Sequence, residues 1–277
     1  MGHSIALVTG ATSGLGYAAA RLLATGSRAV IVTGRSLQRA SEAATQLAVQ
    51  TKMEVFMPLE LELNAPASIQ SALAELVKRR QPIDLLLLNA GWIGGKERVL
   101  TTAGVEATQA RLVGHHQLTV GLLRADLLSP NARIVIAGSE AARGDVPLFS
   151  YTDVAALAAK QYHDDRSAAV EDVLRSGPNV KYRPNRAHAD AKLFVAWWAA
   201  ALSRRLPPGM AVYAVSPGST PGTKGLRNAG LALRWLMLPL VKLIPGMSQT
   251  PEISVCRYLR ASAFGLGSGP IDLSVVI

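Results

Sequence analysis

Six short apolar runs recur along the 277-residue chain, at Ile5 to Val8, Ala29 to Val32, Glu54 to Leu59, Leu85 to Leu88, Arg133 to Ala137 and Ala211 to Val215. Longer stretches with helix-like spacing of apolar positions lie between them. Within each run the apolar character is nearly continuous rather than alternating, which predicts strands covered on both faces and hence a parallel sheet. Strands alternating with helices imply βαβ units with right-handed crossovers, so the pattern predicts a doubly wound α/β sheet. The length suits one such domain with a large core and is too short for two. No internal repeat or low-complexity linker interrupts it. Residues 141–186 exceed an ordinary strand-to-helix connection and are expected to form an insertion with its own helix over Val154 to Leu174, one face polar and exposed.

Composition narrows the function classes. The formal charge is +10, but the basic residues are scattered and the four tryptophans are not interleaved with them. This argues against a nucleic-acid surface and suits small anionic ligands. Cys256 is the only cysteine, which excludes an internal disulfide and a multi-cysteine metal site. It is expected to be a buried structural thiol in a cytoplasmic protein, and no metal site is indicated. The strand beginning at Ser4 leaves no expected room for a secretion signal. Leu231 to Met247 is apolar but carries Arg234 and Lys242 and is broken by Pro239 and Pro245. It reads as part of a lid over a partly apolar substrate, spanning residues 219–250, with membrane contact at most peripheral. The oligomeric state is left open.

The chemistry begins after the first strand. Thr9-Gly10-Ala11-Thr12-Ser13-Gly14-Leu15-Gly16 separates a strand from a helix. Glycines at 10, 14 and 16 allow a tight turn, close approach to a pyrophosphate and close helix packing, with the helix amino terminus facing the negative charge. The second strand ends in Thr33-Gly34-Arg35-Ser36 without an acid to hold a free ribose 2′-hydroxyl. A guanidinium there can pair with a 2′-phosphate, which favours NADP over NAD.

The TGxxxGxG spacing resembles the short-chain dehydrogenase/reductase family, and further matches follow in chain order. Leu88-Asn89-Ala90-Gly91 resembles its NAG turn, Ser139 its catalytic serine, Lys192 its catalytic lysine, and Ser216-Pro217-Gly218 its PG motif. Gly114-His115-His116 and Met247 to Glu252 resemble the branch of retinol dehydrogenase and protochlorophyllide reductase. The resemblance implies a Rossmann-like single domain, NADP(H) as cofactor and a small-molecule substrate. It places Gly10, Thr12, Ser13, Gly14, Leu15, Gly16, Arg35, Glu62, Leu63, Asn89, Ala90, Gly91, Lys192, Pro217, Gly218 and Thr220 at the cofactor, with Ser219 and Thr223 nearby.

The resemblance breaks where the proton is handled. In the family a Tyr four residues before the Lys is the acid, and here that position is His188. Aligning Gly114-His115 with the family's Asn-x-x-Gly-His puts Arg111 where the Asn belongs. The candidate catalytic set is therefore Ser139, His188, Lys192 and Arg111. Imidazolium is a better proton donor than phenol at neutral pH, but the Lys192 and Arg111 charges would disfavour it and leave neutral imidazole. Tyr151 and Tyr182 are the other tyrosines that could stand in. His115 and His116 read as structural. Three functions remain open: an NADP(H)-dependent oxidoreductase of a carbonyl or enone in a fairly large, partly apolar molecule, a non-redox cyclase, lyase or isomerase with NADP bound structurally, and a non-catalytic cofactor-binding protein.

Overall fold

The computed structural model describes residues 4–92, 94–146, 149–218 and 250–263. In chain order its elements are β1 (Ser4–Val8), α1 (Gly14–Leu23), β2 (Ser27–Gly34), α2 (Leu37–Thr51), β3 (Phe56–Glu60), α3 (Pro66–Arg79) and β4 (Ile83–Leu88). They continue with α4 (Ala107–Arg124), β5 (Leu128–Ala137), α5 (Val154–Gln161), α6 (Arg166–Arg175), α7 (Pro184–Ser203), β6 (Ala211–Val215) and α8 (Pro251–Ala263). The six strands form one sheet in the order β3-β2-β1-β4-β5-β6, every pairing parallel. The order reverses between β1 and β4, which opens a crevice at their carboxyl ends, the usual ligand position of such sheets.

Alternation of side chains explains why the runs are continuously apolar. Ile5, Leu7, Leu86 and Leu88 enter a core with Ile69 of α3, Leu118 of α4 and Val195 of α7. Their neighbours Ala6, Val8, Leu85 and Leu87 enter a second core with Ala19 of α1, Leu47 of α2 and Tyr258 of α8. In the central strands nearly every residue is therefore buried on one side or the other, which leaves little room for a polar alternate.

Several expectations need correction. β5 begins at Leu128, five residues before the apolar run, because Leu128 pairs with Ile83 across a register shift. The polar Ser129 and Asn131 hid that extension. The single helix expected over Val154 to Leu174 is two helices, α5 and α6. His163 and Asp164 take positive φ of 48° and 66° between them. Asp165 Oδ1 then caps α6, accepting from the Ser167 and Ala168 N–H groups at 2.8 and 3.1 Å. Their polar face is exposed, while Val154, Ala158, Ala169 and Val173 pack with Phe194 of α7 in a third core. Cys256 is exposed, not buried. α8 turns Ser254, Val255, Tyr258 and Ala261 inward, and Cys256 falls outside that face. Ser219, Thr220, Thr223 and the stretch from Leu231 to Met247 lie outside the described residues. Among the described residues, no helix is long and apolar enough to cross a membrane.

Candidate active site

The β1–α1 turn is built for close backbone approach. Gly10 and Gly14 have φ of +66° and +58°, a region closed to most side chains. Gly16 has no room at all: a Cβ there would lie 2.3 Å from Gly10 O and 2.6 Å from Asn89 Nδ2. Thr12, Leu15 and Ser13 complete the turn. Ser13 stands at the N-cap of α1 with no side-chain capping bond, and no acid occupies the first turn. The amino-terminal N–H groups and positive helix end are thus left for an anion, so the turn fits a dinucleotide pyrophosphate. Gly16→Ala is expected to destabilise the fold by about 1–3 kcal/mol through overpacking and to weaken NADPH binding sharply. Thermal melts with and without NADPH check both effects.

Behind that turn Thr9 is a buried hub. Its Oγ1 accepts from Ala90 N–H at 3.0 Å and meets His115 Nε2 at 2.9 Å. Asn89 Nδ2 donates to Thr9 O at 3.1 Å. The first motif, the turn after β4 and α4 are therefore locked together. Gly114 allows the approach of α4, since a Cβ there would lie 2.1 Å from Leu63 O. His115 is buried, and its pKa falls to about 3, through burial first and then the charges of Lys192 and Arg111. This histidine is structural, and its neutral imidazole is part of the packing.

Two helices carry the candidate residues Arg111, His188 and Lys192 into one cavity. The buried Glu106 caps α4, accepting at Oε2 from Thr108 and Gln109 N–H groups at 2.9 and 3.4 Å. Gln109 Nε2 then donates to Ala187 O at 3.0 Å, which fixes α4 against α7 one residue before His188. The cavity between them is lined by Ala90, Gly91, Trp92, Thr108, Arg111, His115, His188 and Lys192 together with apolar side chains. Its lining carries two cations, Arg111 and Lys192, two imidazoles and no carboxylate. Arg111 lies over the Trp92 ring, 5.3 Å from its centroid, and Nη1 donates to Ala107 O at 2.8 Å. Burial draws its pKa down, and the Glu62 charge opposes this.

His188 and Lys192, one turn apart on α7, both face this cavity. Burial, followed by the Lys192 charge, lowers the His188 pKa to about 3. Charge repulsion was expected to keep the imidazole neutral, but desolvation is the larger cause and Arg111 adds nothing resolvable. Neutral His188 can accept a proton or share a hydrogen bond at neutral pH, and it cannot store an acidic proton there. Burial also brings the Lys192 pKa down to about 8, while its Nζ donates to Ala137 O at 2.5 Å. The ammonium is thus the group in the cavity best tuned to release a proton near neutrality.

Not every candidate converges. Ser139 follows β5 and caps a 3₁₀ turn at Glu140–Arg143, its Oγ accepting from Ala141 N–H at 3.2 Å. It is not among the cavity-lining residues. Arg35 is exposed just beyond β2. Glu62 Oε1 accepts from Asn64 N–H at 3.0 Å, and the Leu63 side chain belongs to the core. Gly218 N–H donates to Ser216 Oγ at 3.2 Å, with Pro217 between them at the end of β6. Of the alternative acids, Tyr151 is exposed against Gly144. The Tyr182 hydroxyl donates to Gly95 O at 3.1 Å, and burial raises its pKa. Neither lines the cavity.

The pattern that defines the short chain dehydrogenase family matches residues 4–163. The chain belongs to the short-chain dehydrogenase/reductase family. It is 31% identical to oxidoreductase fscI of Fusarium equiseti, over 76% of this chain and 85% of that protein. It is 26% identical to retinol dehydrogenase 12 of Homo sapiens, over 89% of this chain and 71% of that one. It spans about half the length of the WW domain-containing oxidoreductases of Gallus gallus and Danio rerio, 48% and 50%. A crystal structure of a variant actinorhodin polyketide ketoreductase with NADPH shares the fold. The TM-score is 0.64 at 22% identity, covering 99% of this chain and 93% of that one.

For this dehydrogenase/reductase chain, the sequence reading missed Trp92 as the platform under Arg111 and Thr9 as the hub. It also missed Phe149, whose ring meets His188 edge-on with centroids 5.8 Å apart. Thr9 was visible as the first residue of the glycine motif. Phe149 carried no signal, because it lies 39 positions from His188 and only the path of the chain brings them together.

Proposed function

We propose that this chain is an NADPH-dependent reductase of a carbonyl or conjugated enone in a fairly large, partly apolar molecule. The observation that carries the reading is the convergence of the Ala90-Gly91 turn, Arg111, His188 and Lys192 on one cavity at the carboxyl edge of the sheet. The similarity to a retinol dehydrogenase and to a polyketide ketoreductase with NADPH supports it.

NADPH, when bound, supplies the hydride. Gly10, Thr12, Ser13, Gly14, Leu15 and Gly16 would hold its pyrophosphate and Arg35 its 2′-phosphate. Glu62 and Leu63 would flank the adenine, and Asn89, Ala90, Gly91, Pro217, Gly218 and Thr220 the nicotinamide side. Lys192 would hold the ribose and serve as the proton reservoir. Neutral His188 would orient the substrate oxygen, directly or through a water, and pass the proton on. Arg111 supplies a fixed positive charge as negative charge grows on that oxygen. Ser139 lies outside the cavity lining, so its O–H would donate only to a substrate oxygen that reaches beyond that lining.

The test is to mix the protein with NADPH and a panel of aromatic ketones and long-chain aldehydes, following the nicotinamide absorbance and the product together. His188→Ala is expected to lower kcat by about 10²-fold, and His188→Tyr to raise reduction of plain ketones. Unchanged kcat in His188→Ala would remove that residue from the reaction. The neutral state of His188 also suits a base, which favours a second reading as an isomerase or lyase. Product formed while NADPH stays unconsumed would establish that reading and end the first.

A further inference from the structure

The segment that covers His188 is fastened by a second residue of the same helix. Phe149 sets its ring against the His188 imidazole at 5.8 Å, with the planes at 64°. Three residues on, Thr152 is gripped by Asp190. Thr152 N–H donates to Asp190 Oδ1 at 2.5 Å, and its hydroxyl donates to Oδ2 at 2.9 Å. Asp190 is only 3% exposed and lies on α7 between His188 and Lys192. Its neighbours Ala187, Ala189 and Ala191 show that this stretch of helix needs no carboxylate to pack. Burying one is unfavourable. Burial pushes the Asp190 pKa up, while hydrogen bonds from Thr152 and the Arg186 charge pull it back. Both carboxylate oxygens are therefore committed to one residue of a loop that touches the candidate proton site.

We propose that Asp190 is a positioning residue: by latching Thr152 it closes Phe149 over His188 and sets how far water reaches the imidazole. Lys192 on α7 and Arg111 and His115 from α4 line the cavity with His188, and the 3₁₀ turn packed against α7 carries Glu140, which is exposed. The covering loop itself brings Asp145, Tyr151 and Asp153, all exposed. None of these belongs to the latch. Since burial is the first cause of the depressed His188 pKa, loosening the cover is expected to raise it toward the ordinary value against the constant Lys192 charge. The latch rests on the proposed chemistry only for the task it gives His188, and its test reads the imidazole directly.

The experiment is a histidine NMR titration of the full chain, with the His188 signal assigned by its loss in His188→Gln. Thr152→Val removes the hydroxyl donor, Thr152→Ser keeps it, and Phe149→Ala removes the ring. The first and third are expected to raise the His188 pKa by about one unit or more, and Thr152→Ser to leave it in place. The pH profile of kcat is expected to move with it. An unmoved His188 pKa in Thr152→Val and Phe149→Ala overturns the proposal, as does an equal shift in Thr152→Ser. Asp190→Asn has one acceptor oxygen in place of two and should match Thr152→Val. If that variant does not fold, the Thr152 pair decides. Shifted titrations in a protein that never consumes NADPH would leave the latch standing and remove the reductase.

Discussion

Lys192→Met is expected to yield a protein that melts later than its parent and has lost its turnover. Burial lowers the Lys192 pKa from 10.5 to about 8. Below pH 8 the lysine is protonated in both folded and unfolded chains, so the folded state bears the full desolvation of the ammonium. Between pH 8 and 10.5 the folded state releases its proton first, and the penalty fades as pH rises. At about 1.4 kcal/mol per unit, the buried charge costs on the order of 3 kcal/mol at neutral pH. Met fills a similar volume without a charge, although Ala137 O loses its donor, which returns about 1 kcal/mol. The net gain is on the order of 1–2 kcal/mol, a few degrees in Tm for a chain of this size. Turnover is expected to fall by about 10²–10⁴-fold if Lys192 is the proposed proton reservoir. Calorimetry beside NADPH consumption checks both halves. A variant that loses stability together with activity would show that Lys192 is a structural strut.

Stability is expected to decline as pH falls from about 6.5 toward 3, and His115→Gln to make that decline shallower. His115 and His188 both have folded pKa values lowered to about 3 from 6.5. The unfolded chain takes up these protons first, so the stability of the neutral imidazoles is fully present above 6.5 and is lost as pH drops through the window. Each contributes a slope of up to about 1.4 kcal/mol per pH unit. Glu106 and Asp190, whose pKa values burial raises, act with the opposite sign above their ordinary values. A comparison of parent and variant therefore isolates the histidine better than the parent curve alone. Gln can present an amide near the Nε2 position, so the contact with Thr9 Oγ1 survives while the titration disappears. Denaturant midpoints measured at several pH values provide the check. Parallel curves for the two proteins would mean that His115 takes up its proton without unfolding the hub.

The doubly wound sheet was legible in the chain because its causes are local. A parallel strand buried on both faces must be continuously apolar, and Leu85 to Leu88 shows this within four residues. Gly16 was legible for the same reason, since a turn with no space for a Cβ leaves only one residue type. Where polarity and helix periodicity were ambiguous, the element bounds were not legible. The polar Ser129 and Asn131 hid the start of β5, and Ala-rich continuity hid the break at His163 and Asp164 between α5 and α6.

The site divides along the same line. The resemblance to the family's Tyr-x-x-x-Lys helix singled out His188 and Lys192, and residues four apart on a helix share a face. Their protonation belongs to the tertiary structure. Desolvation sums over everything packed around a group, here α4, the turn after β4 and the Phe149 loop, none of them adjacent to His188 in sequence. The same holds for Arg111 over Trp92, for Ser139 as a cap outside the cavity, and for Asp190 as a latch. The amino-acid sequence determined which groups this protein can bring to its crevice. Only the packed chain decided which are charged, since that depends on how much water the rest of the fold excludes.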